Sequence, residues 1–234
     1  MIIFGSQCFK YVLANSPKQI QEVYLSKEID ESLIKEIRKN YIKIIRVDNK
    51  KAQSLSRGGN HQGIIAKIDD INTADIKSVL GLDSILVLCG LTDVGNIGSI
   101  VRTCRCLNIG AVILCDREYL KINAIEGIFR ASSGALLTLP FCTMESSLEV
   151  ANQLKNQEFC LIGAGMQRDA WHVNKSLNNT KKWALFIGRE DIGLKQKILK
   201  KLDKIIHIEM NNFDSLNASV ATGILIDRIQ QQRF

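Results

Sequence analysis

From about residue 83 onward, short apolar runs alternate with amphipathic segments. The runs at 84 to 88, 111 to 115, 159 to 163, 182 to 187 and 204 to 208 are dominated by apolar, largely branched or aromatic, residues. Each predicts a buried strand. A further strand is expected near 137 to 142. Between them the apolar spacing becomes helical and predicts helices at 97 to 108, near 123 to 131, and at 146 to 156, 195 to 201 and 217 to 231. The first of these would bury Ile97, Ile100, Val101, Cys104 and Leu107; the last would bury Val220, Ala221, Ile224, Leu225 and Ile229. Strands and helices in this order predict an α/β fold with a mostly parallel sheet, helices lying on both faces.

The first 69 residues read differently. Ile29, Leu33, Ile34 and Ile37 recur at helical spacing, while 23 to 25, 42 to 47 and 64 to 68 are short β-type runs. They predict a small N-terminal α/β domain, residues 1–69. The polar stretch that opens with Asp69-Asp70-Ile71-Asn72-Thr73 has no strong periodicity, so 70–82 is expected to be a linker and 83–234 the second domain. A length of 234 residues suits two domains better than one.

Composition narrows the classes. Hydrophobic residues make up 46% of the chain and charged ones 24%, which excludes a disordered polyelectrolyte. Apolar runs stay well short of the roughly 20 residues of a membrane span, and Met1 to Lys10 lacks the pattern of a secretory signal. A cytoplasmic protein without a membrane partner is expected. The seven cysteines lie in apolar segments without a Cys-x-x-Cys pair, and there are only three histidines, so neither a metal site nor a disulfide framework is expected. The net charge is +7, and residues 1 to 69 hold 12 Lys and Arg against 7 Asp and Glu. That bias favours a polyanionic partner met by the N-terminal unit.

Three loops concentrate the polar chemistry, each behind a predicted strand. They are Asn96-Ile97-Gly98 with Arg102, Gly188-Arg189-Glu190-Asp191-Ile192-Gly193, and Ser215-Leu216-Asn217-Ala218-Ser219. In an open α/β sheet, such strand ends meet in one ligand crevice. Arg102 falls beside the apolar stripe of its helix, where a planar guanidinium could hold a phosphate, with the helix N-terminus behind Asn96 adding positive potential. A solvated or ion-paired arginine is the plainer reading. Glu190 sits between glycines that permit close backbone approach, or is simply an exposed acid on a tight turn. Ser215, Asn217 and Ser219 could cap the last helix, although one cap needs one such residue. A dinucleotide fold is a further possibility, with Asp116 about 20 residues past the first turn, but Gly90, Gly95 and Gly98 lack the tight first glycine pair of that fingerprint.

Taken together, Asn96-x-Gly98-x-x-x-Arg102, Gly188-x-Glu190-x-x-Gly193 and Ser215-Leu216-Asn217-x-Ser219 closely resemble the three motifs of the SpoU (TrmH-type) RNA 2′-O-ribose methyltransferases. The resemblance spans roughly residues 84 to 231. The first 69 residues resemble the substrate-binding domain of the branch acting on a guanosine of large-subunit rRNA, through Asn60-His61-Gln62-Gly63 and Phe4-Gly5. The resemblance implies a deep trefoil-knotted domain, an exception to the rule against knots. It implies S-adenosyl-L-methionine as cofactor, contacted near Gly188, Ile208, Met210 and Leu216. It implies a catalytic and RNA-facing set of Asn96, Arg102, Glu190, Ser215 and Asn217, with Glu190 positioning Arg102 or its neighbours. A homodimer with each site at the interface is implied too, with RNA as partner: rRNA first, tRNA as the alternative, a catalytically inactive RNA-binding protein as the rival. Val94 and Glu209 stand where the family often has proline, which would loosen those loops without removing chemistry.

Overall fold

The computed structural model describes residues 1–116, 122–165, 182–211 and 216–231. Its first layer is a four-stranded sheet of β1 (Ile2–Phe4), β2 (Ile20–Leu25), β3 (Lys43–Arg46) and β4 (Ile64–Ile68), ordered β1-β4-β2-β3. Helices α1 (Ser6–Asn15), α2 (Glu31–Lys39) and α3 (Asn49–Leu55) connect these strands. The strand β4 runs antiparallel to both neighbours, and β2 runs parallel to β3. After β4 comes a short helix, α4 (Ile76–Val79), within the stretch expected as a linker. Val79 is fully buried, and the Ala74 N–H donates to the Phe141 carbonyl, so this polar stretch is fastened to the second layer.

That layer is a six-stranded sheet, parallel at every pairing among the described strands: β5 (Ser84–Cys89), β6 (Ala111–Cys115), β7 (Phe141–Met144), β8 (Cys160–Ala164), β9 (Trp183–Ile187) and β10 (Lys204–Ile206). Its order is β10-β8-β9-β5-β6-β7. The chain thus starts at β5, moves outward through β6 and β7, then crosses to the other side. This reversal sets β5 beside β9 and creates a switch point at their C-terminal ends. Successive residues of β5 face opposite layers. Leu86 and Leu88 join the core beneath α5 (Val94–Cys106), α6 (Ile122–Ala131) and α9 (Ala218–Gln231). Ile85 and Val87 join the core beneath α4, α7 (Ser147–Asn156) and α8 (Gln196–Leu199). Burial on both faces explains why these strands read as unbroken apolar runs.

Several expected boundaries shift. The first helix of this domain starts at Val94, because Asp93 accepts the Asn96 N–H at 2.6 Å and acts as its N-cap. Asn96 therefore lies inside the first turn, and the Asp93 carboxylate already answers the positive helix end that was expected to serve an anion. The strand expected near 137 to 142 is a 3₁₀ turn at Ala135–Leu137 followed by β7. In α9, Val220 is 50% exposed, whereas Thr222 and Ile226 are fully buried. The Thr222 hydroxyl donates to the Ala218 carbonyl one turn back, which lets a polar residue occupy a core position.

Candidate active site

The loops behind β5, β9 and β10 converge. Glu190 Oε1 accepts from Asn96 Nδ2 and from the Ala218 backbone N–H, both at 3.0 Å. Asn217 Nδ2 donates to Asn96 Oδ1 at 2.9 Å, closing with the Ala218 N–H a ring that ties Asn96 to two loops 94 and 121 residues further along the chain. Asn217 also caps α9: its Oδ1 accepts from the Ser219 N–H and from the Ser219 hydroxyl. One carboxylate and one amide thus satisfy the first N–H groups of α9, and the acid sits where the helix dipole favours it.

The shape of the β9 loop is set by its glycines. A Cβ on Gly188 would fall 2.2 Å from the Gly193 carbonyl carbon, and Gly193 adopts φ +65° while its N–H donates to the Arg189 carbonyl. Only residues without a side chain allow the loop to fold back so tightly. At its tip, Arg189 and Asp191 form a two-pronged pair at 2.9 and 2.7 Å, which raises the arginine pKa and lowers that of the aspartate.

Beside this ring lies a cavity of about 380 Å³. Gly188, Ile208, Met210 and Leu216 all line it, together with Glu190. Its volume falls in the range of pockets that take a small molecule. Ile187, Ile206 and Leu225 give the cavity apolar walls, and Gly165, Gly188 and His207 line it just past the ends of β8, β9 and β10.

Arg102 stands apart from the ring. It lies six residues beyond Asn96, about 9 Å along α5 and on another face. Its Nη1 donates to Ser133 Oγ at 3.4 Å, and Glu190 contacts Asn96 and α9 instead of Arg102. Ser133, just past α6, carried no sequence signal beyond a Ser-Ser-Gly turn. Its approach to α5 follows from Gly98, where an added Cβ would lie 2.3 Å from the Ala131 side chain. Ser215 lies outside the described residues.

Asp116, the candidate acid of a dinucleotide site, is occupied elsewhere. Its carboxylate accepts from the Ser147 N–H at 3.0 Å and the Ser147 hydroxyl at 2.6 Å, and pairs with Lys195 at 3.4 Å. The N-terminal marker residues also serve the fold. His61 is buried and its Nδ1 accepts from the Gly63 N–H, while Gln62 Oε1 accepts from the Ser6 N–H at the start of α1.

A reversing parallel sheet with three polar loops around one pocket defines a small-molecule-dependent α/β enzyme class, and comparison with known proteins makes it specific. The sequence profile of the SpoU rRNA Methylase family matches residues 83–227, and that of the RNA 2′-O ribose methyltransferase substrate-binding domain matches residues 2–74. The chain belongs to the SpoU rRNA methylase family. Over 99% of its length it is 26% identical to the 23S rRNA (guanosine-2′-O-)-methyltransferase RlmB of Neisseria meningitidis serogroup B, covering 95% of that protein. It is 28% identical, over 99% of its length, to the enzyme of the same name from Pasteurella multocida, covering 98% of it. In structure it resembles the AdoMet-bound rRNA methyltransferase of Sinorhizobium meliloti, with TM-score 0.77, 17% identity, and coverage of 100% of this chain and 87% of that one. The AdoMet complex of AviRb from Streptomyces viridochromogenes also gives TM-score 0.77, at 20% identity, with 100% and 90% coverage.

Proposed function

We propose that this protein transfers a methyl group from S-adenosyl-L-methionine to a ribose 2′-hydroxyl of RNA, and that its substrate is a guanosine of 23S rRNA. The observation that carries the reading is the Asn96–Glu190–Asn217 ring beside a cavity lined by Gly188, Ile208, Met210 and Leu216. Family membership and the names of full-length relatives support the substrate. The substrate-binding profile over residues 2–74 supports an N-terminal unit that holds RNA, and the methylase profile supports a transferase domain from residue 83; we further propose a boundary near 69 and a linker to 82.

In this reading the backbone at Gly188, Ile208 and Leu216 would hold the cofactor, with Met210 at the cavity wall. When bound, the cofactor supplies an electrophilic methyl on a sulfonium. What remains for the protein is to align a weak nucleophile and to stabilise charge growing on its oxygen. Asn96, held by Glu190, and Asn217, held in turn by Asn96, orient the ribose. Arg102 acts electrostatically: a guanidinium gives up its proton only at great cost, so it grips an RNA phosphate and favours the developing alkoxide. Ser215 joins this set by its motif position. The end of the chain supports a trefoil knot, because α9 packs on α5 and β9 in the middle of the sheet although the strand preceding it lies at the edge. Ile192 at 63% exposure and Met210 at 36%, both lining the cavity, with Val220 on α9, support a homodimer that covers the pocket mouth.

Mapping ribose methylation across rRNA and tRNA, in cells with and without the gene, tests the substrate. Loss of one 23S guanosine mark is the expected result; loss of a tRNA mark alone would overturn it. Arg102→Lys keeps the charge but loses the fork. It should lower kcat at least tenfold with cofactor affinity unchanged, and near-normal turnover would remove the role assigned to Arg102.

A further inference from the structure

The end of α2 carries a residue that the fold does not use. The Tyr41 N–H donates to the Arg38 carbonyl at 2.9 Å and the Ile42 N–H to the Ile37 carbonyl at 3.2 Å. This is the paired closure in which the residue after the helix cap turns left-handed, a place that favours glycine. Tyr41 occupies it at φ +56°. Ile37 and Ile42 are buried and complete the motif, yet Tyr41 is 97% exposed and returns no packing. The left-handed closure recurs with other side chains at four further helix ends, so what sets Tyr41 apart is an aromatic ring left wholly in water at this turn.

Its surroundings in the chain are basic. Arg38 and Lys39 form the exposed last turn of α2, and Lys43 is exposed at the start of β3, the edge strand of the first sheet. The turn that raises the ring therefore sits among three cations in the segment where the chain's positive excess is concentrated. Every nucleobase presents a π face to such a ring, and the flanking phosphates suit lysine and arginine.

We propose that Tyr41 is a stacking platform for an unpaired base of the RNA substrate, with Arg38, Lys39 and Lys43 holding the adjacent phosphates. This rests on the reading of the protein as an RNA methyltransferase whose first unit holds RNA. Stacking serves as an anchor for the RNA and leaves methyl transfer itself to the second domain. The anchor tolerates any base, so sequence choice lies elsewhere.

The test compares Tyr41→Gly, Tyr41→Phe and Tyr41→Trp in the full chain. Two probes are used, an RNA hairpin with an unpaired purine loop and a blunt duplex of the same length, with methylation of a 23S rRNA transcript as a third readout. Tyr41→Gly relieves the backbone, so its Tm should rise while cofactor binding is unchanged. Its affinity for the loop hairpin should fall roughly five- to a hundredfold and its duplex binding should not change, with Tyr41→Phe and Tyr41→Trp retaining loop affinity. If Tyr41→Gly binds the loop as tightly as the parent, the platform is overturned, and parent activity on 23S rRNA would leave the enzymatic reading standing. If the parent neither binds RNA nor methylates it, the enzymatic reading fails and takes this proposal with it. A Tyr41→Gly defect seen only on ribosomal particles, with normal naked-RNA binding, would assign the ring to a protein contact and overturn it too.

Discussion

Asp116 shows how a single carboxylate is committed. Its side chain is 10% exposed and adopts φ +56°, at the end of β6, where it meets the first residue of α7. Burial alone would raise its pKa, but the two hydrogen bonds from Ser147 and the charge of Lys195 outweigh that and hold it below the usual carboxylate range. A carboxyl group lowered on folding contributes stability that is complete above its unfolded pKa and is lost as pH falls through the folded value. Asp116→Asn should therefore cost about 2 kcal/mol at neutral pH, the scale of a hydrogen bond to a charged group, and less in acid. Denaturant unfolding at pH 7 and near pH 3 checks both, since the difference between variant and parent should shrink as the acid limb is entered. The same residue marks the limit of the sequence. Asn96, Glu190 and Asn217 stood out only as members of three motifs taken together, since each alone had a plainer reading and Asn217 does cap α9. Their pairing was not legible, since Glu190 meets Asn96 only through the strand order that puts β9 beside β5. Asp93 carried a readable signal, a capping acid three residues ahead of Asn96, whereas Ser133 reaches Arg102 by a helix approach that spacing does not encode.

Helix ends in this protein share a departure from the usual pattern. Five helices, α2, α3, α5, α6 and α7, close with the same two backbone bonds, and the left-handed residue is Tyr41, Arg57, Asn108, Ser133 or Glu158 in place of glycine. A left-handed L residue costs roughly 1–2 kcal/mol, partly offset because glycine loses about 0.4–1 kcal/mol more chain entropy on folding. Glu158 follows α7 and is exposed at φ +61°. Glu158→Gly should stabilise the protein by about 1 kcal/mol and raise Tm by roughly 2–4 °C, read by calorimetry, with activity unchanged. This habit also blurs helix limits in the sequence, because the expected glycine stop is missing. The strands β4 and β6 were legible to the residue, as buried apolar runs bounded by polar ones. By contrast α3 buries only Ala52, so its pattern has no stripe to read, although the buried Cys8, Phe9, Val12 and Leu13 of α1 do keep the i, i+4 spacing of a helix.

At the scale of the molecule, the N-terminal sheet is seated on the part of the second layer that carries Arg102. Arg130 of α6 lies over the Phe4 ring at 5.0 Å, and Arg57 pairs with Glu126 of α6 at 3.6 Å. The hydroxyl groups of Tyr11 and Thr138 share a hydrogen bond at 2.5 Å, and Thr138 Oγ1 also accepts from Arg105 Nε on α5 at 2.9 Å. A buried core runs without a break from Phe9 and Leu13 in α1 to Phe129 and Leu136 beneath α5. Length and periodicity suggested two units but gave no sign of this seam, because its polar partners Tyr11 and Thr138 are 127 residues apart and its apolar ones look like ordinary core. Continuity of the core makes the units interdependent, since opening either would expose the shared apolar surface. One cooperative transition is therefore expected in calorimetry, with equal van't Hoff and calorimetric enthalpies. Tyr11→Phe removes the hydroxyl while keeping the ring against Gly134, and should lower stability by about 1 kcal/mol without splitting that transition. Two resolved transitions in the parent protein would show that the seam is a contact between independent domains, and the N-terminal unit would then lose its rigid hold on α6 and, through Ser133, on Arg102.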